Sequence, residues 1–468
     1  MQSTNKLYEN NVVAPVLVVF GITGDLAKKK LLPAIYRLLK DDLLPKETVV
    51  LGLTRQNLGS KDILTNTEIC INEADGICDP KAMKKLKDSL QILQIDISKL
   101  GEFKKLKTAL DQIDKNSGQK LNHLYYMSVP PNVTENIVGE LGKHGLNKDN
   151  SRLLIEKPFG FDYKSAKKLI KVISKFFNED QIFRIDHYLA KETVQNILIF
   201  RYNNIFEKVW NSANISDVII TANEKLDIEG RKVFYEETGA LRDLIQSHLL
   251  MLLAVTILDL PDKMTSQKLH RAKLKALESI SPVTHSDIKK NAIRGQYEGY
   301  REEVENPNSN IDTFAALKLS VSTKRWHKVN FILRTGKALN EKLTTVEVKF
   351  KPNQEGLQNN NLIFRIQPHE GIKLTMLIKE PGFNKKTKAS ELDLNYRDEK
   401  IDVTHPDAYE RVLVDAVKGD HSLFSTSSEI LASWKIVEDV VQEWTSNSNN
   451  LLYYKKGSSG PDVTSLIG

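Results

Sequence analysis

The sequence predicts two fold classes in one chain, an α/β part followed by an α+β part, and three observations carry that expectation. Short apolar runs alternate with longer amphipathic stretches through roughly the first 190 residues. Further on, the apolar runs follow one another with little helix between them. The first run ends in a glycine turn that leads directly into a helical pattern.

Bulk properties bound the answer. At 468 residues the chain exceeds what one hydrophobic core usually organises, so roughly two or three domains are expected. A content of 40% hydrophobic and 27% charged residues is that of an ordinary soluble globular protein. The net charge of +7 comes from basic residues spread through segments such as Lys81 to Lys87 and Lys164 to Lys171. Spread charge marks solvated helix faces, so no nucleic-acid partner is expected, while a modest positive balance helps attract phosphorylated substrates. Cys70 and Cys78 show neither CxxC spacing nor a neighbouring His cluster. No metal site or disulfide framework is indicated, and a reducing cytoplasm is the expected location. Met1 to Asn11 is polar, unlike a signal peptide, and no run approaches the ~20 apolar residues that span a bilayer, so no membrane partner is expected.

In chain order, strands are expected at Val16 to Phe20, Thr48 to Leu53, Ile92 to Ile95, His123 to Met127 and Leu153 to Ile155, joined by helices as in a parallel sheet. The first helix, Leu26 to Lys40, repeats Leu31, Leu32, Ile35, Leu38 and Leu39 at helical spacing, with Pro33 as a possible kink. After about residue 190 come a helix from Lys191 to Arg201, a strand at Asp217 to Thr221 and an apolar helix from Gly239 to Leu260. Phe314 to Val321, Lys328 to Arg334, Thr345 to Phe350, Leu362 to Gln367 and Ile372 to Ile378 then read as a large, mostly antiparallel sheet. Helices return at Tyr409 to Lys418 and Ser427 to Glu443, and the final Gly-, Ser- and Pro-rich residues read as a loose tail.

Three places carry chemistry. Gly21-Ile22-Thr23-Gly24-Asp25 follows the first strand, and its glycines let the backbone approach a pyrophosphate at a helix N-terminus. The same GxxG spacing also serves a plain strand–helix connection. Arg55 ends the second strand, where NAD-binding units place an acidic residue; a cation there suits the 2′-phosphate of NADP. Asp96, after the third run, fits either an adenine contact or a helix cap. Arg184-Ile185-Asp186-His187-Tyr188-Leu189-Ala190-Lys191 gathers cations and a phenol suited to a phosphate monoester, or to an ordinary helix entrance. His248 shares the apolar face of Leu241, Leu244, Ile245 and Leu252, a position that more often holds a core histidine than a catalytic one, and that a carboxylate supplied from elsewhere would turn into a base.

Together these segments resemble glucose-6-phosphate dehydrogenases over nearly the whole chain. The carrying motifs are Gly21 to Lys30, Glu156-Lys157-Pro158-Phe159-Gly160, Arg184 to Lys191, the helix bearing Asp243 and His248, Arg325-Trp326, Phe331 to Leu339, and Asp407-Ala408-Tyr409-Glu410-Arg411. The resemblance implies a Rossmann-like NADP-binding domain over residues 1–188 and a β+α substrate and dimerisation domain over 189–468, with substrate between them. It implies oxidation of the C1 hydroxyl of glucose 6-phosphate to the 6-phosphogluconolactone, the first step of the oxidative pentose phosphate pathway, by a homodimer or homotetramer.

By the same resemblance His248 is the general base and Asp186 its carboxylate partner. His187, Tyr188, Lys191, Glu224, Asp243, Lys337, Lys342 and Lys157 contact substrate. Gly21, Thr23, Gly24, Asp25, Leu26, Arg55, Asp96, Ile97 and Lys157 line the NADP site, with Pro130 and Pro131 near the nicotinamide. Two departures from the family pattern stand out: Ala190 replaces a glycine, at a cost of about 1 kcal/mol if φ there is positive, and Ser247 replaces an asparagine. Two other readings fit the residues taken singly: a dehydrogenase of an unphosphorylated sugar, and a noncatalytic sensor of NADP or sugar phosphate.

Overall fold

In the computed structural model, residues 13–99, 101–354, 358–396, 406–447 and 450–467 are described. The polar N-terminal segment Met1 to Asn11 lies outside them. The chain divides into two units, with the main break between Ala190 and Lys191.

The first unit is built on β1 (Pro15–Phe20), β2 (Val49–Thr54), β3 (Leu90–Gln94), β4 (Asn122–Met127), β5 (Ser151–Ile155) and β6 (Ile182–Ile185). All six pair in parallel, in the order β6-β5-β4-β1-β2-β3. Every residue of β1 is buried. Its side chains alternate between two cores: Val16, Val18 and Phe20 pack with Phe103, Leu106 and Leu110, whereas Leu17 and Val19 pack with Leu32, Ile35 and Leu38. Each such side chain taken fully out of water contributes roughly 1.5–3 kcal/mol, which is why a near-continuous apolar run forms the central strand.

The first helix begins as a π-helical turn, Ala27–Leu31, and continues as an α-helix, Leu32–Lys40. The change of pitch lies immediately before Pro33, whose missing N–H breaks the α-helical hydrogen-bond ladder. Beyond the expected boundary near residue 188, the helix Ala408–Lys418 and the short strand β15 (Phe424–Ser425) return to this unit. β15 pairs antiparallel with β6. A return across more than 200 residues leaves no local periodicity for the sequence to show.

The second unit holds a nine-stranded sheet made of β7 (Ile215–Asn223), β8 (Ala292–Tyr297), β9 (Phe314–Leu319), β10 (Asn330–Gly336), β11 (Leu343–Phe350), β12 (Asn361–Gln367), β13 (Gly371–Lys379), β14 (Thr387–Asn395) and β16 (Leu451–Tyr454). Its order is β14-β13-β12-β11-β7-β10-β9-β8-β16. β7 with β10 and β8 with β16 are parallel and the other neighbours antiparallel, in line with the predominantly antiparallel sheet expected.

Two expectations need correction. The Gly- and Ser-rich C-terminus is not a loose tail: β16 adds to the sheet edge, Gly457 N–H donates to the Ala338 carbonyl, and Asn340 N–H donates to that of Ser458. The expectation that no run is apolar and long enough to span a bilayer also fails by length and composition for Lys232–Ile257, yet 89% of its most apolar part is buried within the protein, and Gly239, with non-helical φ 62° and ψ 178°, breaks the stretch near the expected helix start. It is a core helix. After the break at Gly239 it runs as a π-helix (Leu241–Leu249) and continues as an α-helix (Leu250–Ile257).

Candidate active site

In the first unit, the predicted residues gather where the parallel strands end. Gly21 follows β1, Arg55 follows β2, Asp96 lies past β3, Pro130 and Pro131 open the helix after β4, Lys157 follows β5, and Asp186, His187 and Tyr188 follow β6. Strand order reverses between β1 and β4, and ligands of open parallel sheets bind at the carboxyl ends beside such a reversal. The crevice is tight: Gly21 has φ +80°, and a Cβ there would run into the Ser128 carbonyl at the end of β4. Only glycine fits, and the backbone stays open to a pyrophosphate. Thr23, Gly24 and Leu26 are partly exposed along the same turn. Asp25 is exposed and pairs loosely with Lys29 at 4.0 Å.

Arg55 is exposed at the tip of β2, with its carbonyl accepting from Gln94 Nε2 at 3.3 Å. Asp96 accepts from Ser98 Oγ at 2.6 Å and Ser98 N–H at 3.1 Å, bonds that lower its carboxyl below the usual range. This is a turn and not the helix cap that the sequence offered as the alternative, since the next helix begins at Phe103 with Glu102 before it; the Asp96 side chain is engaged locally. Ile97 packs partly against the core beside it.

Asp186 is 5% exposed and accepts the Tyr188 N–H at 2.9 Å. The His187 ring stacks on Tyr409, with centroids 6.4 Å apart and planes 13° apart. Glu156, missed as a site residue by sequence reasoning, accepts a 2.5 Å hydrogen bond from the buried Tyr126 hydroxyl. Burial pushes its carboxyl up to about 7 against the opposing pull of Tyr126 and Lys157. An apolar strand followed by Glu-Lys was the available signal.

In the second unit, Asp243 and His248 both lie on the π-helical stretch Leu241–Leu249, 9% and 1% exposed. There the hydrogen bonds step five residues, so side chains five apart share a face much as those four apart do in an α-helix. The stretch packs against β7, β9 and β10. Its start is fixed by a residue the sequence reading missed, the buried Asp312. The Asp312 carbonyl accepts the Ala240 N–H at 2.8 Å and its carboxylate accepts the Leu241 N–H at 2.7 Å. Burial pushes the Asp312 carboxyl up to about 6. Gly239, at φ 62° and ψ 178°, makes the turn, and a Cβ there would collide with Asp312.

Glu224 and Lys337 come together at the ends of the neighbouring strands β7 and β10 as a close ion pair. Their main chains are joined as well: Glu224 N–H donates to Gly336 O at 2.9 Å and Leu339 N–H to Glu224 O at 3.0 Å. The Lys337 ammonium also faces the Tyr235 ring, 5.7 Å from its centroid. Burial and the nearby Asp243, Asp312 and Glu224 carboxylates push the Tyr235 phenol well above its usual pKa. Glu224, Lys337 and Asp243 therefore share one neighbourhood. Lys191, ahead of the helix Glu192–Asn203, donates to Gln367 Oε1 at 2.9 Å. Lys342 is exposed at the turn before β11, with no role visible in its surroundings.

A family model described as glucose-6-phosphate dehydrogenase, NAD binding domain, matches residues 18–196, and one described as glucose-6-phosphate dehydrogenase, C-terminal domain, matches residues 198–467. The chain belongs to the glucose-6-phosphate dehydrogenase family. It is 36% identical to the glucose-6-phosphate 1-dehydrogenase of Chlamydia muridarum, across 95% of this chain and 93% of that one. It is 34% identical to the Bacillus subtilis enzyme of that name, across 95% of each. A solved glucose-6-phosphate dehydrogenase in complex with its substrate glucose 6-phosphate superposes with a TM-score of 0.91 at 29% identity, covering 98% of both chains.

Neither departure from the family pattern strains the backbone of this structure. Ala190 is not among the non-glycine residues with positive φ, and its methyl joins the first unit's core, so no left-handed strain arises. Ser247 turns its hydroxyl back onto the Asp243 carbonyl at 2.5 Å, a bond local to the helix.

Proposed function

We propose that this enzyme oxidises the C1 hydroxyl of glucose 6-phosphate to the 6-phosphogluconolactone with NADP, as the first step of the oxidative pentose phosphate pathway. The observation that carries the reading is the buried Asp243 and His248 on one π-helical face, in the unit that also holds the Glu224–Lys337 pair. NADP, when bound, supplies the acceptor for the hydride that leaves C1. His248 takes the proton of the C1 hydroxyl, Asp186 is the carboxylate that serves this base, and Glu224 and Asp243 accept hydrogen bonds from sugar hydroxyls. Lys337 and Lys342 are further basic ligands, and His187, Tyr188, Lys191 and Lys157 bind the phosphate and sugar, as in the family resemblance. Loss of both the C1 hydrogen as hydride and the hydroxyl hydrogen as a proton leaves the ring ester, so the reaction balances.

The fit of the first unit to NADP is supported by the Gly21 crevice and by the exposed Arg55 at the end of β2. Gly21, Thr23, Gly24, Asp25, Leu26, Arg55, Ile97 and Lys157 would hold the coenzyme, with Asp96 contributing through the turn it forms. On this assignment residues 1–188, with the returning helix and β15, make the coenzyme domain, and the rest of 189–468 the substrate and dimerisation domain.

A homodimer formed through the large sheet is supported by β14, the outermost strand, where Leu392 and Leu394 stand 60% and 42% exposed. A cytoplasmic location is consistent with two free cysteines. Steady-state assays with glucose 6-phosphate and glucose, each against NADP and NAD, test the reading; comparable kcat/KM for the two sugars would overturn it.

A further inference from the structure

We propose that Tyr454, in the last strand of the sheet, is a positioning residue for Lys337, so that the C-terminal strand forms part of the substrate-binding machinery. The inference rests on reading Lys337 as a substrate ligand. A lysine side chain has four rotatable stem bonds, and its ammonium is placed reliably only where its main chain is fixed. Lys337 is 3% exposed, and both of its main-chain groups are held. Its N–H donates to the Thr313 carbonyl at 2.9 Å, and its carbonyl accepts from the Tyr454 hydroxyl at 2.8 Å.

The direction of the hydrogen-bond chain follows from its last acceptor. The Lys337 carbonyl can only accept, so at 2.8 Å it takes the Tyr454 proton, and the Thr313 hydroxyl, which accepts the Tyr297 N–H at 2.9 Å, donates its own proton to Tyr454 Oη at 2.8 Å. The Thr313 carbonyl, at 3.1 Å, is the longer alternative and already accepts from Lys337 N–H. Burial raises the Tyr454 phenol far above its usual pKa, so it stays a donor across the working pH range.

Strain at the next residue shows why this bracing matters. Ala338 has φ 51°, a left-handed conformation that L-residues avoid. It is kept there from two sides, its N–H donating to Leu226 O at 2.8 Å and its carbonyl accepting from Gly457 N–H at 2.7 Å. Gly457 lies three residues past Tyr454, so the same C-terminal segment grips the turn at Lys337 and at Ala338. Without that grip the turn relaxes, and the ammonium beside Glu224 shifts with it.

Tyr454→Phe in the full-length enzyme removes one hydroxyl and keeps the ring. KM for glucose 6-phosphate should rise about fivefold or more, while kcat and KM for NADP change by less than about twofold, because uniform substrate binding is what is lost. In a Lys337→Ala background, itself raised in KM, Tyr454→Phe should add nothing further. A Tyr454→Phe enzyme with wild-type KM, or one whose KM rises by the same factor in both backgrounds, overturns the positioning role. Unchanged KM in Lys337→Ala alone overturns the ligand assignment, and the proposal with it. Should Tyr454→Phe fail to fold, Thr313→Val breaks the same chain one step earlier and must raise KM, with Thr313→Ser restoring it; no rise in Thr313→Val overturns the proposal.

Discussion

Asp243 and His248 stand five residues apart on the π-helical stretch Leu241–Leu249, so carboxylate and imidazole share one buried face. At the α-helical pitch of 3.6 residues per turn, the same separation would turn them about 140° from one another. The wider pitch is thus what would let one helix carry the sugar-binding carboxylate and the base proposed above. It starts just past the non-helical Gly239, is fixed there by Asp312, and passes into the α-helix Leu250–Ile257.

Gly239→Ala should be costly for that reason. Its φ and ψ fall in a region open essentially to glycine, and the added methyl meets the Asp312 carboxylate. A destabilisation of about 1–3 kcal/mol is expected, with a lower Tm and a reduced kcat. Thermal melts alongside coenzyme titration check this, and coenzyme affinity should be preserved. Wild-type Tm and kcat together would show that the helix start tolerates a side chain.

Arg55→Ala should separate the two coenzymes. The exposed guanidinium at the end of β2 is read as the partner of the 2′-phosphate, which NAD lacks. KM for NADP should rise by about tenfold or more, a loss of roughly 1.4 kcal/mol, while kcat/KM with NAD stays near its original value. Equal effects on both coenzymes would remove Arg55 from the 2′-phosphate site.

Glu156 gives a pH signature. Its folded pKa, pushed up to about 7 by burial, lies above the ordinary carboxylate value, so between these values the folded chain keeps a proton that the unfolded chain releases. Stability from the protonated form is therefore complete at the acid end and is lost as pH rises through about 7. Glu156→Gln, which stays neutral, should gain in Tm relative to the wild type as pH rises from about 4.5 to 7, and the difference should level off above that. Melts of both proteins across this range decide it; a Tm difference independent of pH would assign the carboxylate an ordinary pKa.

Much of this fold was readable because its signals are local. Five of the six parallel strands announce themselves as apolar runs, and the Gly21 turn, Arg55 and Lys157 fall at strand ends that the runs define. The Lys337 turn follows directly from the β10 run. What local pattern hid is what depends on distant partners. β15 is two residues long and exists through its pairing with β6, and β16 is a strand because β8 offers an edge. Asp312 reads as a loop acid until it meets the helix start near Gly239, some 70 residues earlier in the chain. The π pitch was invisible for a different reason: a search for apolar residues at α-helical spacing finds Leu241, Leu244 and Ile245 in either helix. It groups His248 with them and leaves Asp243 unremarked.

The most direct test of the account is a comparison of His248→Ala with the wild type at saturating glucose 6-phosphate and NADP, with substrate and coenzyme affinities measured in parallel. A general base contributes about 10²–10⁴-fold, so kcat should fall by that order while both ligands bind with affinities close to wild type. Full turnover by His248→Ala would contradict the account.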